Sequence, residues 1–447
     1  MHSPSHQIAL QSPKAHSRVL YPQTGSYYLA PLDPDLPPNV LTNKFKAYPM
    51  TYAYDYNAKP WKKEVLPVLL PIEVIRIEPP KTREGLFENF EHTKSGELKL
   101  TNQKILDAQS GIFGEVVSRA MKSIFTGQGL VGMSLPIRIF EPRSTLQRIA
   151  DGMCYVTTLL RKANDATDPV ERAKYCLNCL ISGMCMSAGQ MKPFNPLLGE
   201  TMEAEYSDGS QLYMEHTSHH PPISNFYVVG ACGAKMYGRI EQAMDMGANS
   251  MEIIYRGPLT IEFSDGNKIT MFFPIATQTG VVFGARMLSF TKKCCFIDEK
   301  NLIKGYLEMG ANIKKGKYLG KRADNFSGEI YTYLPAKHKG YGENFKDVYS
   351  AFKGKDKNQE LSKGEGNIFE WLEFDGVEYW SLDSNPVERP SPVANPLPSD
   401  FRFREDLIWL QYENKEMAQE WKYKLEEIQR YERSMRQEAE KKRKKGK

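Results

Sequence analysis

The chain has 447 residues, 59 Lys+Arg against 54 Asp+Glu for a formal net charge of +5, 41% apolar and 25% charged residues. This is globular usage, which excludes a wholly disordered chain, and no apolar run reaches the ~18 residues of a membrane-spanning helix. MHSPSHQIAL lacks the basic and then apolar plan of a signal peptide, so a cytoplasmic protein is expected.

Residues 1–60 are rich in Pro, Tyr, Ser and His and read as a mostly irregular N-terminal extension. Residues 61–110, with EVLPVLLPIEVIRIEPP broken by prolines, read as an extended arm. The period then changes. Ile112, Phe113, Val116, Val117, Ala120, Met121, Ile124 and Phe125 recur every three to four residues, with Arg119 and Lys122 on another side. That stripe predicts an amphipathic helix over about 111–130, closed by the glycines of TGQGLVG. It suits either a core helix or a mobile lid able to lie on a membrane.

SLPIRIFEPRSTLQRIADGM predicts a short strand and a helix from near Ser144, and a second helix runs from about Val170 to Met186. From about 200 to 335, short β segments alternate with turns such as SDG, GAN and SDGN, and the meander resumes over 367–382. This spacing signals an antiparallel sheet or barrel large enough to hold a cavity. The chain turns helical from about Asp406 to its end. Between Arg430 and Lys447 there are nine Lys/Arg and three Asp/Glu, which leaves the remainder of the chain at −1. The basicity therefore belongs to a C-terminal tail, residues 436–447, suited to an anionic membrane surface. Basic and aromatic residues do not interleave elsewhere, so nucleic acid is not an expected partner.

Seven cysteines, an odd count, argue against a disulfide framework. Cys176 and Cys179 form a C-x-x-C without a nearby His, in a segment of helical spacing, and are expected to be core thiols; no metal or cofactor is expected.

Two strings carry chemistry. In MEHTSHHPPISNFYVV, His219 and His220 are adjacent and fixed by two prolines. Neighbouring side chains on extended chain diverge, which suits donation to a phosphate better than chelation of one metal. Ser218 beside His219 lacks the flanking glycines of a hydrolase elbow. In KPFNPLLGE, two prolines flank Phe194 and Asn195, and the turn could present Lys192 to an anion.

EHTSHHPPIS closely resembles the EQVSHHPP fingerprint of oxysterol-binding-protein-related lipid transfer proteins, with His216 and Thr217 where Gln and Val are usual. KPFNPLLGE resembles that family's second signature, SLPIRIFEPRSTLQRIAD the segment after its lid, and EWLEFDGVEYW a late strand. The resemblance spans about 110–435 in the right order and delimits an expected lipid-binding domain over 111–435. It implies a mainly β, α+β fold: a large near-complete antiparallel β-barrel around a central lipid tunnel, an N-terminal helical lid and a C-terminal helical subdomain. The stripe of Ile112, Phe113, Val116, Val117, Met121 and Ile124 would then be the tunnel cover.

By the same resemblance, Lys192, Asn195, His219 and His220 match the family's phosphoinositide headgroup positions. Lys422, Glu426 and Arg430 join them, and their i, i+4, i+8 spacing places all three on one helix face. The implied function is non-enzymatic. One lipid, a sterol or phosphatidylserine, is exchanged for phosphatidylinositol 4-phosphate between intracellular membranes at contact sites, with the protein peripheral on them. The alternative is a sensor or scaffold that binds lipid without net transfer. EFDGVE (373–378) faintly resembles a tether motif but is expected to be strand, and the chain is expected to be a short member carrying only the lipid-binding domain.

Overall fold

The computed structural model describes residues 83–112, 114–115, 134–189, 191–314, 318–338, 348–352, 354–385, 387–394 and 396–445. The N-terminal extension, the first part of the arm and the cover positions Phe113, Val116, Val117, Met121 and Ile124 lie outside these residues. Ile112 is described; it is helical and packs partly buried against the main core.

The end of the arm is not extended, which corrects the expectation for 61–110. It folds as α1 (Arg83–Phe87), β1 (Phe90–His92), β2 (Leu98–Leu100) and α2 (Gln103–Gln109). The local chemistry explains this. Gly96 turns the β1–β2 hairpin at φ +94, and the side chain of Asn102 caps α2 by accepting from the Ile105 amide at 3.2 Å.

A helical unit follows: β3 (Phe140–Ser144), α3 (Thr145–Asp151), α4 (Val156–Asp165), α5 (Pro169–Ser182) and β4 (Lys192–Phe194). Ser144 and Gln147 form a capping box on α3; Asp168 caps α5, with Pro169 in its first turn. β3 and β4 pair in parallel, Phe140 opposite Lys192.

The β region contains β5 (Thr201–Glu205), β6 (Gln211–His219), β7 (Pro222–Val229), β8 (Lys235–Met246), β9 (Ser250–Arg256), β10 (Leu259–Glu262), β11 (Lys268–Phe272) and β12 (Ile275–Thr279). It continues with β13 (Met287–Thr291), β14 (Lys293–Asp298), β15 (Ile303–Met309), β16 (Asn312–Ile313), β17 (Gly320–Lys321), β18 (Asn325–Tyr333) and β19 (Lys357–Asn367). β20 (Trp371–Phe374), β21 (Val377–Ser381), β22 (Ser391–Pro392), α6 (Glu405–Gln411) and α7 (Lys415–Lys445) complete the chain.

Eighteen strands join one antiparallel sheet. β8 is long enough to pair with β9 along one half and β10 along the other, so the ladder forks there. One branch runs through β9, β12, β13, β2 and β1; the other through β10, β11, β14, β15, β18, β19, β20 and β21. Among the described residues the ladder does not close on itself: β22, β21 and β1 stand at its three ends. The fold is thus a large antiparallel sheet with packed helices.

Burial follows the strand period. Leu212, Met214 and His216 of β6 turn inward while their neighbours face water. α5 lies against β11, β14, β15, β20 and β21 and buries Cys176, Leu177 and Ile181 completely. EFDGVE is not continuous strand. Asp375 and Gly376 both take positive φ and make the β20–β21 turn, as an Asp-Gly pair favours. The C-terminal helix is also broken. Glu413 has φ +59, and Asn414 restarts the chain as α7 by accepting from the Met417 amide at 3.1 Å.

All seven cysteines are free, and six are buried; only Cys232 is partly exposed. Burial pushes the Cys176, Cys294 and Cys295 thiols up, and Cys179 up to about 12. A thiol reagent should therefore modify Cys232 rapidly in the folded protein and the other six only in denaturant. Rapid native modification of Cys176 or Cys179 would contradict their placement in the core.

Candidate functional site

The site begins with the turn after β4. Pro193 and Pro196 restrict the backbone on both sides of Asn195, and Gly199 reverses it at φ +81. A buried ion network locks this turn from beneath. Arg404 donates through Nη1 to the Asn195 carbonyl and to Glu200 Oε2, both at 2.8 Å, and through Nε and Nη2 to both oxygens of Asp406 at 2.9 Å. Glu200 also accepts from the Leu197 amide at 2.9 Å and from the Ser144 hydroxyl that caps α3. Burial holds the Glu200 carboxyl above its ordinary value, against the opposing pull of Arg404, Ser144 and the Leu197 amide.

On this turn, Lys192 Nζ donates to Asn195 Oδ1 at 2.6 Å and sits 5.4 Å from the centroid of Phe140. The parallel β3–β4 pair fixes that neighbour, because Phe140 is opposite Lys192 in the register. Lys422 of α7 approaches the same ring, with Nζ 5.0 Å from its centroid. Lys422 donates to Ser134 Oγ at 2.7 Å and pairs with Glu426, which in turn pairs with Arg430 at 3.3 Å. Two ammonium groups thus share one aromatic ring, a cation–π arrangement that helps hold them out of water. Desolvation, then the Lys422 charge, pull the Lys192 ammonium down to about 8, with Glu426 opposing.

His219 ends β6 at the rim of the same space. Its Nδ1 lies 3.2 Å from Nε2 of His216, whose Nδ1 lies 3.0 Å from Ser224 Oγ on β7. The rings of His219 and His220 meet edge-on at 5.0 Å. Burial, then the His220 charge and Arg404, hold His219 down to about 4; burial, then the His219 charge, hold His216 down to about 3. Both are neutral at pH 7, so the doubly donating imidazolium requires an incoming anion. Ser218 Oγ donates to the Pro221 carbonyl at 2.7 Å.

These elements enclose a cavity of about 80 Å³ lined by Lys192, Asn195, His219, Lys422 and Glu426, five of the seven positions named from sequence. Arg404 and Asp406 form part of its wall. His220 and Arg430 stand outside the lining: His220 against His219, and Arg430 paired with Glu426 and Glu427. Sequence reasoning did not single out Arg404, His216 or Arg433. Arg433, three residues beyond Arg430 on α7, adds positive charge beside His219 and His220. His216 carried a signal, since it occupies a place where Gln is usual. Arg404 carried none, because Asn195 and Glu200, the partners that tie it to the site, are distant in sequence.

Among the described residues no group of three His, Cys, Asp or Glu is arranged to hold a metal ion, and no helix is long and apolar enough to cross a membrane.

Residues 118–446 match the family model described as oxysterol-binding protein. The chain is 31% identical over 351 residues to oxysterol-binding protein 9 of Dictyostelium discoideum, covering 77% of this chain and 79% of that one. It is 29% identical over 320 residues to oxysterol-binding protein-related protein 3 of Mus musculus, covering 68% of this chain but spanning only 35% of that relative's length. The fold is similar to the Osh1 ORD domain solved with cholesterol (TM-score 0.54, 22% identity, 69% of this chain and 76% of that one). It is likewise similar to the Osh3 ORD of Saccharomyces cerevisiae solved with PI(4)P (TM-score 0.54, 23% identity, 72% and 84%).

Two pH effects follow. Lys192 loses its proton as pH rises through about 8, so affinity for an anion in the cavity should fall there, and Lys192→Met should remove that dependence; isothermal titration with a water-soluble short-chain phosphoinositide checks it. His216 and His219 bind protons less readily folded than unfolded, so stability should fall as pH drops from about 6.5 towards their folded values near 3 and 4. His219→Gln should flatten that slope in denaturant melts across the window.

Proposed function

The chain belongs to the oxysterol-binding protein family, and from that premise we propose that it is a non-vesicular lipid carrier. It holds one lipid, a sterol or phosphatidylserine, inside its curved sheet and exchanges it for phosphatidylinositol 4-phosphate between membranes.

The observation that carries this reading is the convergence of Lys192, Lys422 and His219 on one small cavity at the sheet rim. A phosphomonoester brings close to two negative charges at neutral pH. It would raise the depressed Lys192 pKa and recruit protons to His219, so binding energy is drawn from groups that water cannot already satisfy. Asn195 is available as an orienting partner, and Glu426 holds Lys422 in place. His220 and Arg430 would complete the headgroup shell by small side-chain movements. The cavity matches a phosphate group in scale, not a whole lipid, so the acyl chains require the apolar inner face of the sheet. In this reading the sheet is a near-complete barrel around a tunnel, the segment at about 111–130 is its lid, and α6 and α7 are the helical subdomain. Sterol and phosphoinositide exclude one another from a single tunnel, and exchange follows from that competition. The sterol in the Osh1 domain and the PI(4)P in the Osh3 domain support both halves of the pairing.

The test is extraction from vesicles carrying labelled phosphatidylinositol 4-phosphate. His219→Ala with His220→Ala, and separately Lys422→Ala, should reduce extraction at least tenfold while leaving the circular dichroism melt near wild type. Wild-type extraction by the double variant would overturn the site. Transfer between two vesicle populations that is no faster than spontaneous exchange would make the protein a lipid sensor.

A further inference from the structure

We propose that two adjoining hairpin tips beside the cavity form a rigid apolar wedge that inserts into the interfacial layer of a lipid bilayer; this deepens the reading above and rests on it. The strand register places the wedge. β6 ends at His219, β7 starts at Pro222, and Ile223 of β7 is opposite Glu241 of β8, so Gln242–Met246 run on past the level of the site. β9 starts at Ser250 opposite Thr279, the last residue of β12, and Thr279 is opposite Met287, the first of β13. The β8–β9 and β12–β13 turns therefore lie side by side at the end of the sheet that carries His219.

These turns are built, not loose. The Asn249 side chain bridges them: Oδ1 accepts from the Val282 and Phe283 amides at 2.9 and 3.1 Å, and Nδ2 donates to the Phe283 carbonyl at 3.0 Å. Gly280 at φ +68 lets the Ala285 carbonyl close so tightly that a Cβ there would lie 1.9 Å from it. What this frame presents is apolar: Phe283 is 69% exposed, Met244 60%, Met246 49% and Val282 46%. Single exposed hydrophobes need no explanation, but four on two tied tips do. Between Thr279 and Met287 there is no acid and one base, Arg286; Asp245 is the acid of the neighbouring tip.

The wedge is continuous with the site. Arg286 at its root donates to Gln109 Oε1 at 2.7 Å, Gln109 reaches Met191 Sδ at 3.9 Å, and Met191 precedes Lys192. A cavity that takes a lipid headgroup must meet the bilayer at this end, and a Phe ring beside Met and Val side chains suits the headgroup–acyl boundary. The same insertion would set the cavity at headgroup depth.

The experiment uses the whole chain and vesicles of phosphatidylcholine with a minority of phosphatidylserine, with and without brominated chains. The emission of Phe283→Trp, measured against the unsubstituted protein, should shift to the blue and be quenched by bromolipid. Phe283→Asp should lower the vesicle-bound fraction roughly tenfold, as removal of one buried ring predicts, yet bind a water-soluble short-chain phosphoinositide as wild type does. Unchanged emission on vesicles, undiminished sedimentation of Phe283→Asp, or no vesicle binding at all would overturn the wedge. So would a wild-type dimer in light scattering that Phe283→Asp converts to monomer without changing vesicle binding. Failure of the wild type to bind the short-chain lipid would instead overturn the headgroup reading.

Discussion

Arg404 is the fixed point from which the site is built. Its guanidinium joins a turn between two strands, Asn195 to Glu200, to the start of α6 at Asp406, and through Glu200 it reaches the cap of α3 at Ser144. Four of its donor contacts are used within the protein, and the residue is 6% exposed. Taking away one member of such a network leaves a buried charge uncompensated, at a cost of about 3–5 kcal/mol. What the network contributes to function is position: it fixes the carbonyl of Asn195, and with it the side chain that meets Lys192.

Above that frame, the site gathers two ammonium groups and a pair of neutral imidazoles. Lys192 has one side-chain acceptor and a ring; Lys422 has Ser134, Glu426 and the same ring. His219 and His216 are neutral because their burial and their mutual proximity oppose a second proton. A site of this kind gains most from a ligand that carries charge of the opposite sign into a desolvated space, since the interaction grows as the local dielectric falls. In the proposed exchange, a second occupant of the same space would release such a ligand.

Much of this was legible in the sequence, for identifiable reasons. The period-two alternation of β6 and the Ser-Asp-Gly and Gly-Ala-Asn turns announce antiparallel strands, because side-chain direction and turn chemistry are local properties. Ser144 and Asp168 announce their helices for the same reason. Lys192, Asn195, His219, Lys422 and Glu426 were recognisable by resemblance to the family's motifs, and helical spacing puts the last two on one face. The forked ladder at β8 was not legible, since one strand divides its length between two partners, and the clamp of Arg404 was not, since Asn195 and Glu200 lie far away in the chain. The fold of 83–110 differs for another reason: the upstream prolines point to extended chain, and the local signals of a cap at Asn102 and a turn at Gly96 are single residues.

The central claim is that one internal site holds either a phosphoinositide or a second lipid. The most direct measurement is lipid mass spectrometry on the protein after incubation with mixed-lipid vesicles and gel filtration. The account predicts one sterol or phosphatidylserine per chain, displaced in full by added phosphatidylinositol 4-phosphate. Simultaneous retention of both lipids, or a protein that emerges free of lipid, would contradict it.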